Sequence, residues 1–198
     1  MPTVKQKTTV ATKRPKQPKT TIGILAIHGS ISEHAASLTK LKIQPREVRT
    51  PLDLLTLSGL IIPGGESTTF RKFLQQFNLQ PALQQFASSG KPILGTCAGL
   101  ILLVQLNLLP AKILRNAYGR QIDSFATKLK IPGLNPPTFP GIFIRAPQIQ
   151  RTSAQILATH ANSPVLIRQK NIFGATFHPE LTTDPRLHQL IFQKFAQN

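Results

Sequence analysis

The stretch Pro92-Ile93-Leu94-Gly95-Thr96-Cys97-Ala98-Gly99 runs straight into Leu100-Ile101-Leu102-Leu103-Val104, and no other part of the chain restricts the fold as tightly. A short apolar run is stopped by small residues around a cysteine, and a second apolar run begins at once. This reads as a buried strand turning sharply into a helix with Cys97 at the bend, the arrangement of a nucleophile elbow. Such a turn is so tight that its flanking residues must be small. It lifts the thiol clear of the backbone, and the helix N-terminus behind it favours the thiolate.

The same alternation continues along the chain. Ile22–Ile27 reads as a first strand, and Ser32–Lys42 as a helix opened by a serine cap, with Ala35, Leu38 and Leu41 at helical spacing. Glu47–Arg49 fits a short strand. Leu60-Ile61-Ile62 fits a buried strand stopped by Pro63-Gly64-Gly65, after which Ser67 or Thr68 can cap a helix through Phe73. Pro81–Ser88 predicts another helix, and Leu100 to Leu109 reads as a buried one. Further on, Phe125–Leu129, Gly141–Ile144, Gln155–Thr159, Val165–Arg168 and Ile172–Phe177 read as strands, and Pro185–Ala196 as a closing helix. The implied fold is a three-layer α/β domain, a mainly parallel sheet with helices on both faces and sites at the carboxyl ends of strands. Residues 1–20 are rich in Lys, Thr, Pro and Gln without an acid, which predicts a disordered basic tail ahead of one domain over residues 21–198.

Cysteine and charge narrow the setting. A single cysteine cannot form an internal disulfide, which points to a reducing compartment, the cytoplasm. No apolar run reaches the ~18 residues a membrane helix needs, so no membrane partner is expected. With 24 Lys+Arg against 7 Asp+Glu the formal net charge is +17, enough to attract polyanions through non-specific phosphate contacts. The basic residues are scattered and match no sequence-reading module, so a diffuse basic surface is the expectation.

Three segments carry chemistry if the fold brings them together. Gly64-Gly65-Glu66-Ser67-Thr68-Thr69 follows a buried strand and can aim backbone N–H groups into a site; the P-loop lysine spacing is absent. Cys97 is a candidate nucleophile. His178 and Glu180, in Phe177-His178-Pro179-Glu180, are a candidate base and its orienting carboxylate. Taken singly, each has an ordinary structural reading. A lone buried cysteine is a small hydrophobe, a histidine ending a strand is a satisfied core residue, and a carboxylate can cap a helix. A thiolate, a base that becomes an acid, and oxyanion donors are together what hydrolysis of an unreactive amide requires.

At this point the chain resembles a family. Beside Gly-x-Cys-x-Gly and His-Pro-Glu it carries Gly29 with Glu33-His34, Leu60 through Thr69, Gly90-Lys91-Pro92, Arg115-Asn116-Ala117-Tyr118-Gly119-Arg120-Gln121 and Phe143-Ile144-Arg145-Ala146-Pro147. These resemble the class I (triad) glutamine amidotransferases, and within them the glutaminase subunits of pyridoxal 5′-phosphate synthase, over about residues 21–195. The resemblance implies Cys97 as nucleophile on the glutamine side-chain amide, His178 as base and then acid, and Glu180 as its orienter. It implies backbone N–H groups at Gly65 and Ala98 as the oxyanion hole. Gly64, Gly65, Glu66, Arg115, Ile144 and Arg145 would contact glutamine, with no cofactor and no metal. It further implies passage of ammonia to a synthase subunit in a large ring assembly that makes the vitamin B6 cofactor. His28 stands where the family usually has glutamine, and the chain is shorter than usual between Leu103 and Arg115. A glutaminase serving another amidotransferase, or a catalytically idle basic binding protein, are the alternatives.

Overall fold

The computed structural model describes residues 20–115 and 124–194. Its centre is a seven-stranded sheet in the order β2-β1-β3-β4-β11-β10-β9. The strands are β1 (Thr21–Leu25), β2 (Gln44–Val48), β3 (Gly59–Ile62), β4 (Ile93–Thr96), β9 (Gln155–His160), β10 (Ser163–Gln169) and β11 (Ile172–Ala175). From β2 to β11 all neighbours are parallel, and β10 and β9 add an antiparallel edge. Two small antiparallel pairs stand outside it: β5 (Ala111–Leu114) with β8 (Gln148–Thr152), and β6 (Phe125–Lys130) with β7 (Thr138–Phe143).

Side-chain alternation along the buried strands produces the three layers. Register places Ile24 beside Ile61, Ile61 beside Leu94 and Leu94 beside Phe173, a row across four strands on one face. That row packs with Leu38 of α1 (Ile31–Lys40), with Leu187 of α5 (Arg186–Gln189) and with Phe139 and Phe143 of β7. On the opposite face Leu60, Ile62 and Ile93 pack with Leu74 of α2 (Ser67–Gln76), Leu79, Leu83 and Phe86 of α3 (Leu79–Ser88), and Leu100 and Leu103 of α4 (Ala98–Gln105). Each fully buried side chain of this size contributes about 1.5–3 kcal/mol. Where α4 crosses the sheet, Gly95 and Gly174 lie side by side. A Cβ on either would sit 2.5 Å from Leu103 or Leu100, so the glycine pair lets the helix lie close behind Cys97.

Several boundaries differ from the sequence reading, for local reasons. The first helix begins at Ile31 with Ser30 as its N-cap and no side-chain cap bond; Ser32 instead bonds Glu33 at 2.9 Å. Glu66, not Ser67 or Thr68, is the N-cap of α2. The apolar run from Leu100 ends its helix at Gln105, because Asn107 takes a left-handed turn (φ 58°). The C-terminal helix starts at Arg186 and widens to a π turn over Leu190–Lys194; Ala196 lies outside the described residues. The strand expected over Ile172–Phe177 ends at Ala175, and the one expected over Gly141–Ile144 runs Thr138–Phe143. β5 and β8 had no sequence signal, since each alternates weakly and pairs only with the other. The predicted basic tail falls outside the described residues up to residue 19, as does Asn116–Gln121 of the arginine-rich motif. Among the described residues no helix is long and apolar enough to cross a membrane.

Candidate active site

Loops leaving the carboxyl ends of adjacent parallel strands build the site. β3 delivers Gly64, Gly65 and Glu66; β4 delivers Cys97; β11 delivers His178; and β1 delivers His28, Gly29 and Ser30. Ile144 and Arg145 arrive from the end of β7. These residues, with Ala98, Ile101, Arg115, Pro147 and Leu181, line one cavity of about 630 Å³. Every residue expected to touch glutamine, namely Gly64, Gly65, Glu66, Arg115, Ile144 and Arg145, is among them.

Cys97 has φ 49° and ψ −105°, a backbone that L-residues rarely adopt and that costs on the order of 1–3 kcal/mol. Its N–H donates to Ala175 C=O at 2.8 Å, which ties the bend to β11. The sharp strand-to-helix turn expected at Cys97 is thus present, and its backbone strain is an addition of the structure. Ala98 opens α4, so its N–H has no partner within the helix. Gly64 is needed for close approach: a Cβ there would lie 2.6 Å from His178 Cε1 and 3.4 Å from Cys97 Cβ. Arg145 also has a left-handed backbone, φ 43°, and is exposed at the cavity rim.

His178 and Glu180 form a buried pair. The His178 backbone N–H donates to Ile142 C=O at 2.8 Å, anchoring the loop to β7. Its Nδ1 donates to Glu180 Oε1 at 2.8 Å, leaving Nε2 for the thiol. Burial pulls the His178 pKa down, but hydrogen bonds with Cys97 and Glu180 and their negative charge outweigh it and raise it to about 10. Glu180 is 4% exposed. Burial works against its charge, yet the imidazoles of His34 and His178 hold the carboxyl down at about 2. The pair is therefore an imidazolium on a carboxylate at neutral pH, with the carboxylate behind the cavity wall and the imidazole in front.

The sequence of the SNO glutamine amidotransferase family matches residues 24–197 of this chain. The chain belongs to that family. Relatives within reach include the pyridoxal 5′-phosphate synthase subunit PdxT of Thermosipho africanus, 44% identical over 85% of this chain and 95% of that protein. The PdxT subunit of Pasteurella multocida is 44% identical over 85% of this chain and 93% of its own length. A crystal structure of a glutamine amidotransferase superposes with TM-score 0.82 at 39% identity, covering 89% of this chain and 99% of that one. The structure of PurLQS from Thermotoga maritima, at 17% identity and TM-score 0.64 over 89% of this chain and 95% of that one, shares the fold. SNO-family membership fits the mainly parallel sheet and the elbow at Cys97.

Two residues touch the pair from behind; sequence reasoning missed His188 and named His34 only within Glu33-His34, without a role. His34 on α1 places Nε2 3.5 Å from Glu180 Oε2, and His188 on α5 touches His34. Both interrupt apolar helix stripes: His34 is four residues before Leu38, and His188 lies between Leu187 and Ile191. A histidine on a buried stripe was the available signal.

Proposed function

We propose that this chain is the glutaminase subunit of pyridoxal 5′-phosphate synthase, hydrolysing L-glutamine to L-glutamate and passing the ammonia to a synthase subunit. The observation that carries the reading is the single cavity in which Cys97, His178 and all six proposed glutamine contacts meet. Arg115 and Arg145 are donors suited to the α-carboxylate of an amino acid, and Glu66 is suited to its ammonium. Ile144 lines the path of the apolar methylenes.

In this mechanism Cys97 Sγ attacks the side-chain amide carbon, and the N–H groups of Gly65 and Ala98 hold the developing oxyanion. The His178 imidazolium protonates the departing nitrogen, so ammonia leaves and a thioester forms on Cys97. His178, now neutral, takes a proton from the incoming water; hydroxide adds to the thioester, and glutamate is released as Sγ returns to thiolate. Glu180 stays ionised throughout and keeps Nδ1–H of His178 pointing backward. The partner is the synthase subunit, in a large ring assembly in the cytoplasm, where the lone thiol stays reduced. The charge of +17 adds non-specific attraction to nucleic acid.

Ammonia release from glutamine, measured with and without the synthase subunit, tests the reading. Release by the wild-type complex and none by Cys97→Ala supports it. A wild-type complex that leaves glutamine intact overturns it.

A further inference from the structure

Behind the triad lies a sealed polar cluster that the chemistry above leaves unused. His34 and His188 are both fully buried. His34 Nδ1 is 2.9 Å from His188 Nε2, with the rings edge to face at 66°. His34 Nε2 faces Glu180 Oε2 at 3.5 Å and Thr96 Oγ1 at 3.4 Å. Glu180 Oε1 is taken by His178, while Oε2 has no hydrogen-bond partner among the described residues and lies 3.5 Å from His34 Nε2. A buried carboxylate oxygen in that position calls for a proton donor.

The cluster has two tautomeric arrangements, and the surroundings distinguish them. Burial lowers the pKa of both histidines, that of His188 to about 3, so each ring carries one N–H at neutral pH. Exactly one proton can lie between His34 Nδ1 and His188 Nε2. If it sits on His34, then His34 Nε2 turns a lone pair toward the Glu180 carboxylate. The other proton of the pair is then forced onto His188 Nδ1, which has no partner among the described residues. That arrangement combines a repulsion with an orphaned buried donor. If the proton sits on His188, its Nε2–H donates to His34 Nδ1, and His34 carries its own proton on Nε2, between Thr96 Oγ1 at 3.4 Å and Glu180 Oε2 at 3.5 Å. The orphan is then only an unused lone pair. Thr96 Oγ1 accepts the Gly64 N–H at 3.1 Å, which links the same cluster to the glycine loop of the cavity.

We propose that His34 is a positioning residue of the triad, donating Nε2–H to Glu180 Oε2 in the tautomer that His188 imposes. It fixes the plane of the carboxylate and, through it, the ring of His178. Outer partners of this kind typically change activity by about 10- to 100-fold when removed. The groups that face His34 are Glu180 and His178 beyond β11, His188 on α5, Thr96 on β4 and Glu33 on its own helix.

This inference rests on the glutaminase reading, and two measurements separate their fates. The first needs no turnover: nitrogen-15 NMR of the imidazoles in the wild-type chain. Nε2–H tautomers at His34 and His188 support the proposal, and an Nδ1–H tautomer at His34 overturns it. The second is steady-state glutaminase kinetics of the assembled complex. His34→Phe, which removes the donor and keeps the ring, should lower kcat about 10- to 100-fold with KM within about twofold. His34→Gln, whose amide can reach the same oxygen, should restore most of that loss. A His34→Phe variant with wild-type kcat overturns the proposal. So does a His34→Gln variant that folds but is no better than His34→Phe; if His34→Phe fails to fold, the NMR result decides. A wild-type complex inert toward glutamine would sink the glutaminase reading and leave the NMR measurement of His34 standing.

Discussion

The His178 ring divides two regions of opposite character. In front lies an open cavity with backbone strain at Cys97 and Arg145, charge on Arg115, Arg145 and Glu66, and room for an amino acid. Behind lies a closed cluster of Glu180, His34, His188 and Thr96, at most 4% exposed. The front can select and attack a substrate because water and ligands reach it. The back can only set the charge and direction of one ring, and it does so by excluding water. If this division holds, changes in front alter turnover or affinity with little cost in stability, while changes behind also alter stability and its pH dependence.

The largest effect expected is at Cys97. Cys97→Ala should lower glutamine hydrolysis by about 10⁴-fold or more, as loss of a nucleophile does elsewhere. Cys97→Gly should be equally inactive yet more stable by about 1 kcal/mol, because glycine accepts the φ of 49° that cysteine resists. Chemical denaturation compares the pair. A glycine variant less stable than the alanine variant would show that the front is not strained.

Next in size is Gly64→Ala. Its Cβ would press on His178 Cε1 and turn the ring away from the thiol, so kcat should fall about 100-fold while the melting temperature changes little. Gly99→Ala is the control for packing rather than chemistry. There the new Cβ runs into the backbone carbonyl of Ile62, and the expected outcome is loss of fold. Should Gly64→Ala unfold the chain as well, front and back would not be separable at this loop. Smaller again is Arg145→Ala. Removing one charged hydrogen bond of about 1.5–3 kcal/mol should raise KM for glutamine roughly 10- to 100-fold and leave kcat nearly unchanged. A fall in kcat alone would assign Arg145 to the chemistry instead.

The front was legible in the sequence, and so was Glu180, but the roles of the two histidines behind it were not. Local pattern encodes the elbow: small residues around Cys97, a preceding buried strand, a following apolar helix. Strand ends before Gly64 and His178 are equally local, so their convergence follows from a parallel sheet. The role of Glu180 also has a local cue, two residues from His178. His34 and His188 are 154 residues apart, and only the packing of α1 against α5 over the sheet brings their nitrogens together. Neither helix announces this, because a histidine on an apolar stripe looks the same whether or not it has a partner. The weak pair β5 and β8 was missed for a similar reason, since each strand is specified by the other.

Acid and base should unfold the two regions from opposite directions. His178 is raised to about 10 from 6.5, so its contribution is full below pH 6.5 and fades as pH rises toward 10. Glu180 is lowered to about 2 from 4.5, so its contribution is present above pH 4.5 and fades as pH falls toward 2. His188, held near 3 from 6.5, works in the same direction as Glu180. The unfolded chain takes up its proton near 6.5 and the folded chain refuses it until about 3, so stability declines with acid across that window. Each such proton changes the unfolding free energy by about 1.4 kcal/mol per pH unit. His188→Phe should therefore take up about one proton fewer on unfolding between pH 6.5 and 3, whatever its stability at neutral pH. The slope of unfolding free energy against pH, from denaturant titrations, measures that number. An unchanged slope would mean that His188 is protonated in the folded chain, and the closed region would then not be excluding water as its burial requires.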